Sequence, residues 1–208
     1  MFQLTQALKS NQESFEIHFV EHSACAEDAE DILLLDPKIM ASKSLKRRLH
    51  HISGRRALSK ISFARDGDVL QIVHGAGGCL TRDGQIFARF SISHSDYGAV
   101  AAVAPPDVSV GVDLEPKNRR ISQGALNLIL NEEEQNELHD EPSRLRMWMS
   151  KEAISKALGI GLSISKEITY DGRSWLAKGS RWSVDSQDIT ISEVDHILII
   201  AQKITEET

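Results

Sequence analysis

The tetrapeptide Ala57-Leu58-Ser59-Lys60 recurs 96 residues later as Ala153-Ile154-Ser155-Lys156. A second pair of similar segments is 99 residues apart: Asp96-Tyr97 precedes the apolar run AVAAVA, and Asp195-His196 precedes ILIIA. Four-residue matches also arise by chance. However, both offsets are close to half of the 208 residues of the chain, and this favours two similar α+β halves.

The pair Pro105-Pro106 lies where a linker between two such halves is expected. It predicts an N-terminal domain at 1–104 and a C-terminal domain at 105–208. A basic amphipathic helix is predicted at 44–61 and a long helix at 143–158, with Pro142 at its start and Gly159 after its end. The pattern at 123–139 is also helical, with a capping box that begins at Asn131. Strands are predicted at 15–20, 69–73, 86–91, 97–103, 108–114, 167–170, 181–184, 188–192 and 196–203.

The composition is that of a soluble globular protein, because 41% of residues are hydrophobic and 26% are charged. Two cysteines, Cys25 and Cys79, are too few for a disulfide framework or a cysteine-based zinc site. The first 15 residues lack the basic flank and apolar run of a secretory signal. No apolar stretch approaches the ~20 residues that span a bilayer. We therefore expect a cytoplasmic protein that does not bind a membrane. We also expect it to be a monomer.

Charge is unevenly distributed along the chain. The net charge is −6, yet the segment 37–60 holds eight bases, two histidines and no acid. The rest of the chain carries 16 bases and 30 acids, a charge of −14. This balance argues against a general nucleic-acid partner, whereas the basic segment suits a polyanionic ligand or an acidic partner. The alternative is a solvated basic helix face.

The segment Val108–Glu115 (VSVGVDLE) has strand alternation. Its valines and Leu114 share one face, while Gly111, Asp113 and Glu115 share the other. Two carboxylates above a buried apolar face are suited to a hard cation, and Gly111 allows backbone or ligand to approach closely. The alternative is a half-exposed strand end with solvated acids.

In the predicted long helix, Glu152 and Lys156 continue an apolar stripe that includes Leu145 and Met149. Such a pair four residues apart usually lies on the surface. On an apolar stripe it needs partners or a metal, which indicates a functional site.

The segment Phe90–Asp96 (FSISHSD) follows a predicted strand and sets two hydroxyls around His94. Hydroxyl donors beside an imidazole suit a phosphate, whereas the alternative is a structural histidine. A serine hydrolase is not supported, because the nucleophile-elbow motif is missing and adjacent residues cannot fold into a triad.

Together, three motifs in this order resemble the 4'-phosphopantetheinyl transferases of the larger, surfactin-type (group II) class. They are Ser93-His94-Ser95, Gly111-Val112-Asp113-Leu114-Glu115 and Trp148-Met149-Ser150-Lys151-Glu152-Ala153-Ile154-Ser155-Lys156. The resemblance covers about residues 44 to 203 and is specific over 91 to 163. It implies an α+β fold, a pseudo-dimer in which each half is a small, mostly antiparallel sheet packed with a long helix.

The resemblance also implies a holo-[acyl-carrier-protein] synthase type of reaction. The phosphopantetheine arm of coenzyme A would pass to a serine of an acidic apo carrier protein, with Mg²⁺, and 3',5'-ADP would be released. Asp113, Glu115 and Glu152 would hold the metal. Glu152 would help to deprotonate the serine, and Lys156 would stabilise the departing oxygen. The residues expected to contact coenzyme A are Arg48, Arg55, Arg56, Ser93, His94, Lys151 and Lys156.

One feature departs from the family pattern. The family usually has Gly-Lys-Pro between the basic helix and the Ser-His-Ser strand, with its lysine near the coenzyme A phosphate. This chain has Gly77-Gly78-Cys79 instead. Two other functions stay open: a Mg²⁺-dependent phosphohydrolase acting on similar substrates, and a carrier-protein binder without catalysis.

Overall fold

The computed structural model describes residues 5–6, 15–22, 36–59, 71–75 and 77–205. Parts of two predicted elements, residues 60–61 of the basic helix and 69–70 of a strand, lie outside these ranges, as does Cys25. The N-terminal half contains the following elements: β1 (Thr5–Gln6), β2 (Glu16–Glu21), α1 (Pro37–Met40), α2 (Leu45–Ser59), β3 (Gln71–Gly75), β4 (Gly77–Arg82), β5 (Gln85–His94) and β6 (Gly98–Ala104).

The C-terminal half repeats this organisation, with α5 as the longer counterpart of α2. It contains β7 (Val110–Pro116), α3 (Gln123–Ile129), α4 (Glu132–Glu137), α5 (Glu141–Leu158), a 3₁₀ helix (Gly161–Glu167), β8 (Thr169–Tyr170), β9 (Trp175–Ala177), β10 (Ser180–Ile191) and β11 (Val194–Lys203). None of the helices in the described ranges has the length and apolar character that crossing a membrane requires.

The two sheets share one strand order once β1 is set aside. The first sheet runs β1-β2-β6-β5-β4-β3 and the second runs β7-β11-β10-β9-β8. In each, the first strand pairs with the last, the order then runs backwards along the chain, and all neighbours are antiparallel. The long helices α2 and α5 occupy equivalent places in the order of elements, and the described part of the repeated tetrapeptide lies in the C-terminal part of each helix. The predicted α+β pseudo-dimer is confirmed.

Three apolar clusters form the core, one within each half and one between the halves. Helix α2 packs on the first sheet through residues that include Ile52, Leu58 and Leu80. Helix α5 packs on the second sheet through a larger cluster that contains Met149 and Ile154. The third cluster joins the sheets to each other, with members from β2, β6, β7 and β11. This central cluster is as buried as the other two, so the two sheets pack against each other through a continuous core.

Local sequence explains where α4 and α5 begin and end. The predicted capping box is present: Asn131 Oδ1 accepts from the Glu134 N–H at 2.9 Å, and Glu134 Oε2 accepts from the Asn131 N–H at 2.9 Å. Helix α5 is capped by Asp140 and ends at Gly159, whose φ of 68° is left-handed. The cap at Asn131 divides the segment predicted as helical at 123–139 into α3 and α4.

Three strand predictions are wrong in detail. The strands predicted at 181–184 and 188–192 are one strand, β10, because it pairs residue by residue with β11 and keeps its polar middle in the ladder. The first half of the strand predicted at 167–170 is absent, since residues 161–167 form a 3₁₀ helix and only 169–170 pair with β9. Strands β1, β4 and β9 were not predicted.

Candidate active site between the two halves

The carboxylates of β7 lie in the interior. Asp113 is 1% exposed and Glu115 is 7% exposed, while Val112 and Leu114 on the other face join the central cluster. The alternative of solvated acids at a half-exposed strand end is therefore wrong. Gly111 allows backbone to approach, as expected, because the Ala153 carbonyl of α5 lies directly over it. This contact brings α5 against the carboxylate face.

Lys156 of α5 connects the two halves at this point. Its Nζ donates to Asp113 Oδ1 at 2.6 Å, to Ser93 Oγ at 3.0 Å and to the Val112 carbonyl at 3.2 Å. Ser93 Oγ in turn donates to Asp113 Oδ1 at 2.9 Å and accepts from the Leu114 N–H at 3.2 Å. The Ser93 hydroxyl thus uses its one donor and both acceptor sites within the protein. In this state it positions Asp113 and Lys156 and has no donor left for a phosphate.

Arg119 pairs with the other carboxylate of β7. Its guanidinium donates to Glu115 Oε1 and lies over the ring of Trp148, 4.6 Å from the ring centroid. Two cations, Lys156 and Arg119, therefore neutralise the two acids of the predicted metal motif.

Glu152 lies beside Asp113 on α5, with 17% of its side chain exposed. Burial, and then the negative charge of Asp113, raise the pKa of Glu152 to about 7, although Lys156 and Arg119 act in the opposite direction. A carboxyl with this pKa can take up or release a proton near neutral pH.

We expect Glu152→Gln to stabilise the ligand-free protein above pH 7. The folded chain holds the Glu152 proton up to about pH 7, whereas the unfolded chain releases it near pH 4.5. The free energy of unfolding therefore falls as pH rises through this window. Removing the charge should raise that free energy by about 3 kcal/mol at pH 8 and by less than about 1 kcal/mol at pH 5. Urea unfolding at both pH values measures the difference.

Glu167→Gln is the matched control, because Glu167 is 63% exposed and pairs with Lys178 on the surface. Its effect should stay within about 0.5 kcal/mol at either pH. A Glu152→Gln protein that is no more stable than the wild type at pH 8 would show that the negative charge of Glu152 does not destabilise the folded protein.

Two adjoining cavities form a cleft above this network. The larger, of about 780 Å³, lies between α2, β4, β5 and the end of α5, and the second, of about 670 Å³, lies over the carboxylates. Lys156, His94 and His50 line both cavities. Asp113, Glu115 and Glu152 all line the second. The cleft is therefore basic on one side and acidic on the other.

The larger cavity receives part of the basic segment. Arg55, Lys46 and Arg47 line it, whereas Arg48 and Arg56, which were also predicted to bind coenzyme A, line neither cavity. Arg48 instead donates to the Ser42 carbonyl. Arg55 is only 9% exposed, and its Nη1 has no hydrogen-bond partner among the described residues. A buried guanidinium with an unused donor suits an anion.

Three histidine rings lie next to one another, and two of them, His50 and His94, line the cleft. The His50 ring centroid lies 4.1 Å from that of His94 and 5.1 Å from that of His22. Burial, followed by the charges of His94, His22 and Lys46, lowers the pKa of His50 to about 4, and burial also lowers the pKa of His94. At neutral pH the rings of His50 and His94 are uncharged, so they do not contribute to the positive charge that the lysines and arginines give the cleft.

Lys151 is not in the cleft. Its side chain is fully buried, and its Nζ donates to Glu134 Oε2 at 2.5 Å. The same Glu134 oxygen belongs to the capping box of α4, so Lys151 joins α4 to α5. Lys151 lines neither cavity, and this position argues against the predicted contact with coenzyme A.

The predicted metal ligands need a separate test. Among the described residues, no group of three His, Cys, Asp or Glu side chains is arranged to hold a metal ion. However, Asp113 Oδ2 is buried without a hydrogen-bond partner in the described part of the chain, and an orphaned carboxylate oxygen beside two further acids suits a divalent cation. The three carboxylates therefore have the chemistry that Mg²⁺ requires of its ligands. In the ligand-free protein, Lys156 pairs with Asp113 and Arg119 pairs with Glu115.

Sequence comparison points to the same segment. Residues 109–193 match the family model of the 4'-phosphopantetheinyl transferase superfamily. The match contains Gly111–Glu115 and Trp148–Lys156 and supports a phosphopantetheinyl transferase. It does not reach Ser93 or the basic helix. No curated protein matches the chain.

Sequence reasoning missed several residues of the cleft. Lys46 and His50, with Gly54, follow each other at intervals of four on one face of α2, and this spacing could have identified them. Arg119 gave no comparable signal, because its importance depends on a contact with Glu115 and Trp148 that the sequence does not display.

Proposed function

We propose that this protein is a surfactin-type (group II) 4'-phosphopantetheinyl transferase that acts on an apo carrier protein, with coenzyme A as donor and Mg²⁺ as cofactor. One observation carries the proposal. Ser93 from the first half and Asp113 and Lys156 from the second form a single contact network at the point where a basic and an acidic cavity meet. A diphosphate bound against a divalent cation needs this distribution of charge.

The basic side of the cleft is suited to the phosphates of coenzyme A. We assign the 3'-phosphate to Arg55, whose unused Nη1 is buried, with Lys46 and Arg47 on the same cavity wall. Gly77 and Gly78 line this wall where the family usually has a lysine. The charge that the missing lysine would supply is thus available from α2.

The acidic side is suited to the metal. Asp113, Glu115 and Glu152 would hold Mg²⁺ through carboxylate oxygens once Lys156 and Arg119 move away from Asp113 and Glu115. When bound, the ion neutralises charge that develops on the phosphate oxygens. The remaining steps can be assigned to this chain's own residues.

In the proposed reaction the carrier serine oxygen attacks the phosphorus that bears the pantetheine arm. A new P–O bond forms to the serine, and the P–O bond to 3',5'-ADP breaks. The serine proton passes to Glu152, directly or through water, since the pKa of Glu152 is near neutrality. Lys156, which reaches both cavities, stabilises the negative charge on the departing oxygen.

The direct test is a mass measurement on the carrier. The protein is incubated with coenzyme A, Mg²⁺ and an apo acyl carrier protein, and we expect the carrier to gain one phosphopantetheine, with 3',5'-ADP as the other product. A carrier whose acceptor serine is replaced by alanine should gain nothing. Breakdown of coenzyme A with an unmodified carrier would indicate a phosphohydrolase instead. Intact coenzyme A and an unmodified carrier would contradict both enzymatic functions.

A further inference from the structure

The ammonium group of Lys156 is fully hydrogen-bonded within the protein, although Lys156 lines an open cleft. Its Nζ makes three hydrogen bonds, to Asp113 Oδ1, Ser93 Oγ and the Val112 carbonyl. It also lies 4.0 Å from Glu152 Oε2. An ammonium has three donors, and here all three have partners. The cation therefore sits among oxygen ligands from both halves.

This oxygen environment resembles what a divalent cation would require. Asp113 contributes one oxygen to Lys156 and keeps its other oxygen, Oδ2, buried and unpartnered. Glu152 faces the same ammonium. A cation bound to Asp113 and Glu152 would face the positive charge of Lys156 at close range, and that repulsion is strong in a partly buried site.

We propose that Lys156 is an internal counter-cation that competes with the metal and couples metal binding to anion binding. In the ligand-free chain the ammonium satisfies the carboxylates. An anion in the larger cavity, which Lys156 also lines, draws the ammonium towards itself and leaves the carboxylates for the divalent cation. The two sites therefore fill together. This inference rests on the proposed metal site.

The test measures Mn²⁺ binding without any anion, at pH 8, from the signal of free Mn²⁺ in electron paramagnetic resonance. Mn²⁺ takes the same oxygen ligands as Mg²⁺. We expect Lys156→Met and Lys156→Gln to bind Mn²⁺ at least about tenfold more tightly than the wild type, because a unit charge close to the ion is gone. Addition of 3',5'-ADP should tighten Mn²⁺ binding to the wild type and have a smaller effect on either variant.

Lys46→Met is the matched control. Lys46 lines the same acidic cavity, but its ammonium pairs with Asp96 at 2.5 Å and is 65% exposed. Its removal should change Mn²⁺ affinity by less than about threefold. Equal tightening in Lys46→Met and Lys156→Met would overturn the competition and leave only a general charge effect. Unchanged or weaker Mn²⁺ binding in both Lys156 variants, each checked for folding by circular dichroism, would also overturn it. Lack of Mn²⁺ binding in all proteins would instead contradict the metal site of the proposed function.

Discussion

Asp113→Asn is expected to lower the rate of phosphopantetheine transfer by about 10³-fold or more. The substitution keeps the shape of the side chain and an oxygen for the Ser93 hydroxyl, but it removes the negative charge. That charge pairs with Lys156, and the orphaned oxygen Oδ2 is the clearest position for a cation ligand. The loss should therefore appear in kcat, and additional Mg²⁺ should restore only a small part of it.

Mass spectrometry of the carrier under single-turnover conditions measures this loss. Asp188→Asn is the matched control, because Asp188 is an exposed acid of β10 that pairs with Lys117 and Arg146. This control should keep transfer within about twofold, since exposed ion pairs contribute little. If Asp113→Asn, with circular dichroism like that of the wild type, transferred at more than a tenth of the wild-type rate, Asp113 could not be a ligand of an essential cation.

The comparison of Asp113 with Lys151 explains which parts of the site could be predicted from the sequence. Strand alternation alone places Asp113 and Gly111 on one face, and helical spacing places Glu152 and Lys156 on one stripe. Both inferences depend only on neighbours along one strand or one helix, at most eleven residues apart. Lys151 belongs to the same motif, but its burial depends on Glu134, 17 residues away. Contacts of that kind are set by tertiary packing, and a single sequence does not display them.

The same reasoning applies to the fold. Two similar halves were predictable because a duplicated chain leaves repeats at a fixed offset. Strand β4 was not predictable from its own residues, GGCLTR, because it lacks alternation and forms by pairing with β3 and β5. The polar middle of β10 was interpreted as a break, whereas β11 holds it in register. In both cases the partner strand decides the conformation.

The second large effect is expected from Gly111→Ala. A Cβ at Gly111 would overlap the Ala153 carbonyl oxygen and lie 2.9 Å from the Ala157 backbone nitrogen. Both atoms are backbone of α5, so no side chain can turn aside to make room. Strand β7 cannot move away either. Gly111 pairs with Ala201 of β11, and the opposite face of β7 packs against the central cluster.

We therefore expect Gly111→Ala to lower the free energy of unfolding by about 3 kcal/mol or more. For a chain of this size that corresponds to a fall in Tm of roughly 6–12 °C. Urea and thermal unfolding measure it. Transfer by the folded fraction should fall as well, because Glu152 and Lys156 flank Ala153 and must move away from Asp113 together with α5.

Gly124→Ala separates this effect from the general consequence of adding a methyl group. No atom lies within 4 Å of a Cβ at Gly124, which is in the first turn of α3. Alanine is the better helix former, so this variant should be unchanged or more stable by up to about 1 kcal/mol. If Gly111→Ala were as stable as Gly124→Ala, the backbone of α5 could not lie as close to β7 as the structure places it. Glu152 and Lys156 would then lack the support that holds them against Asp113.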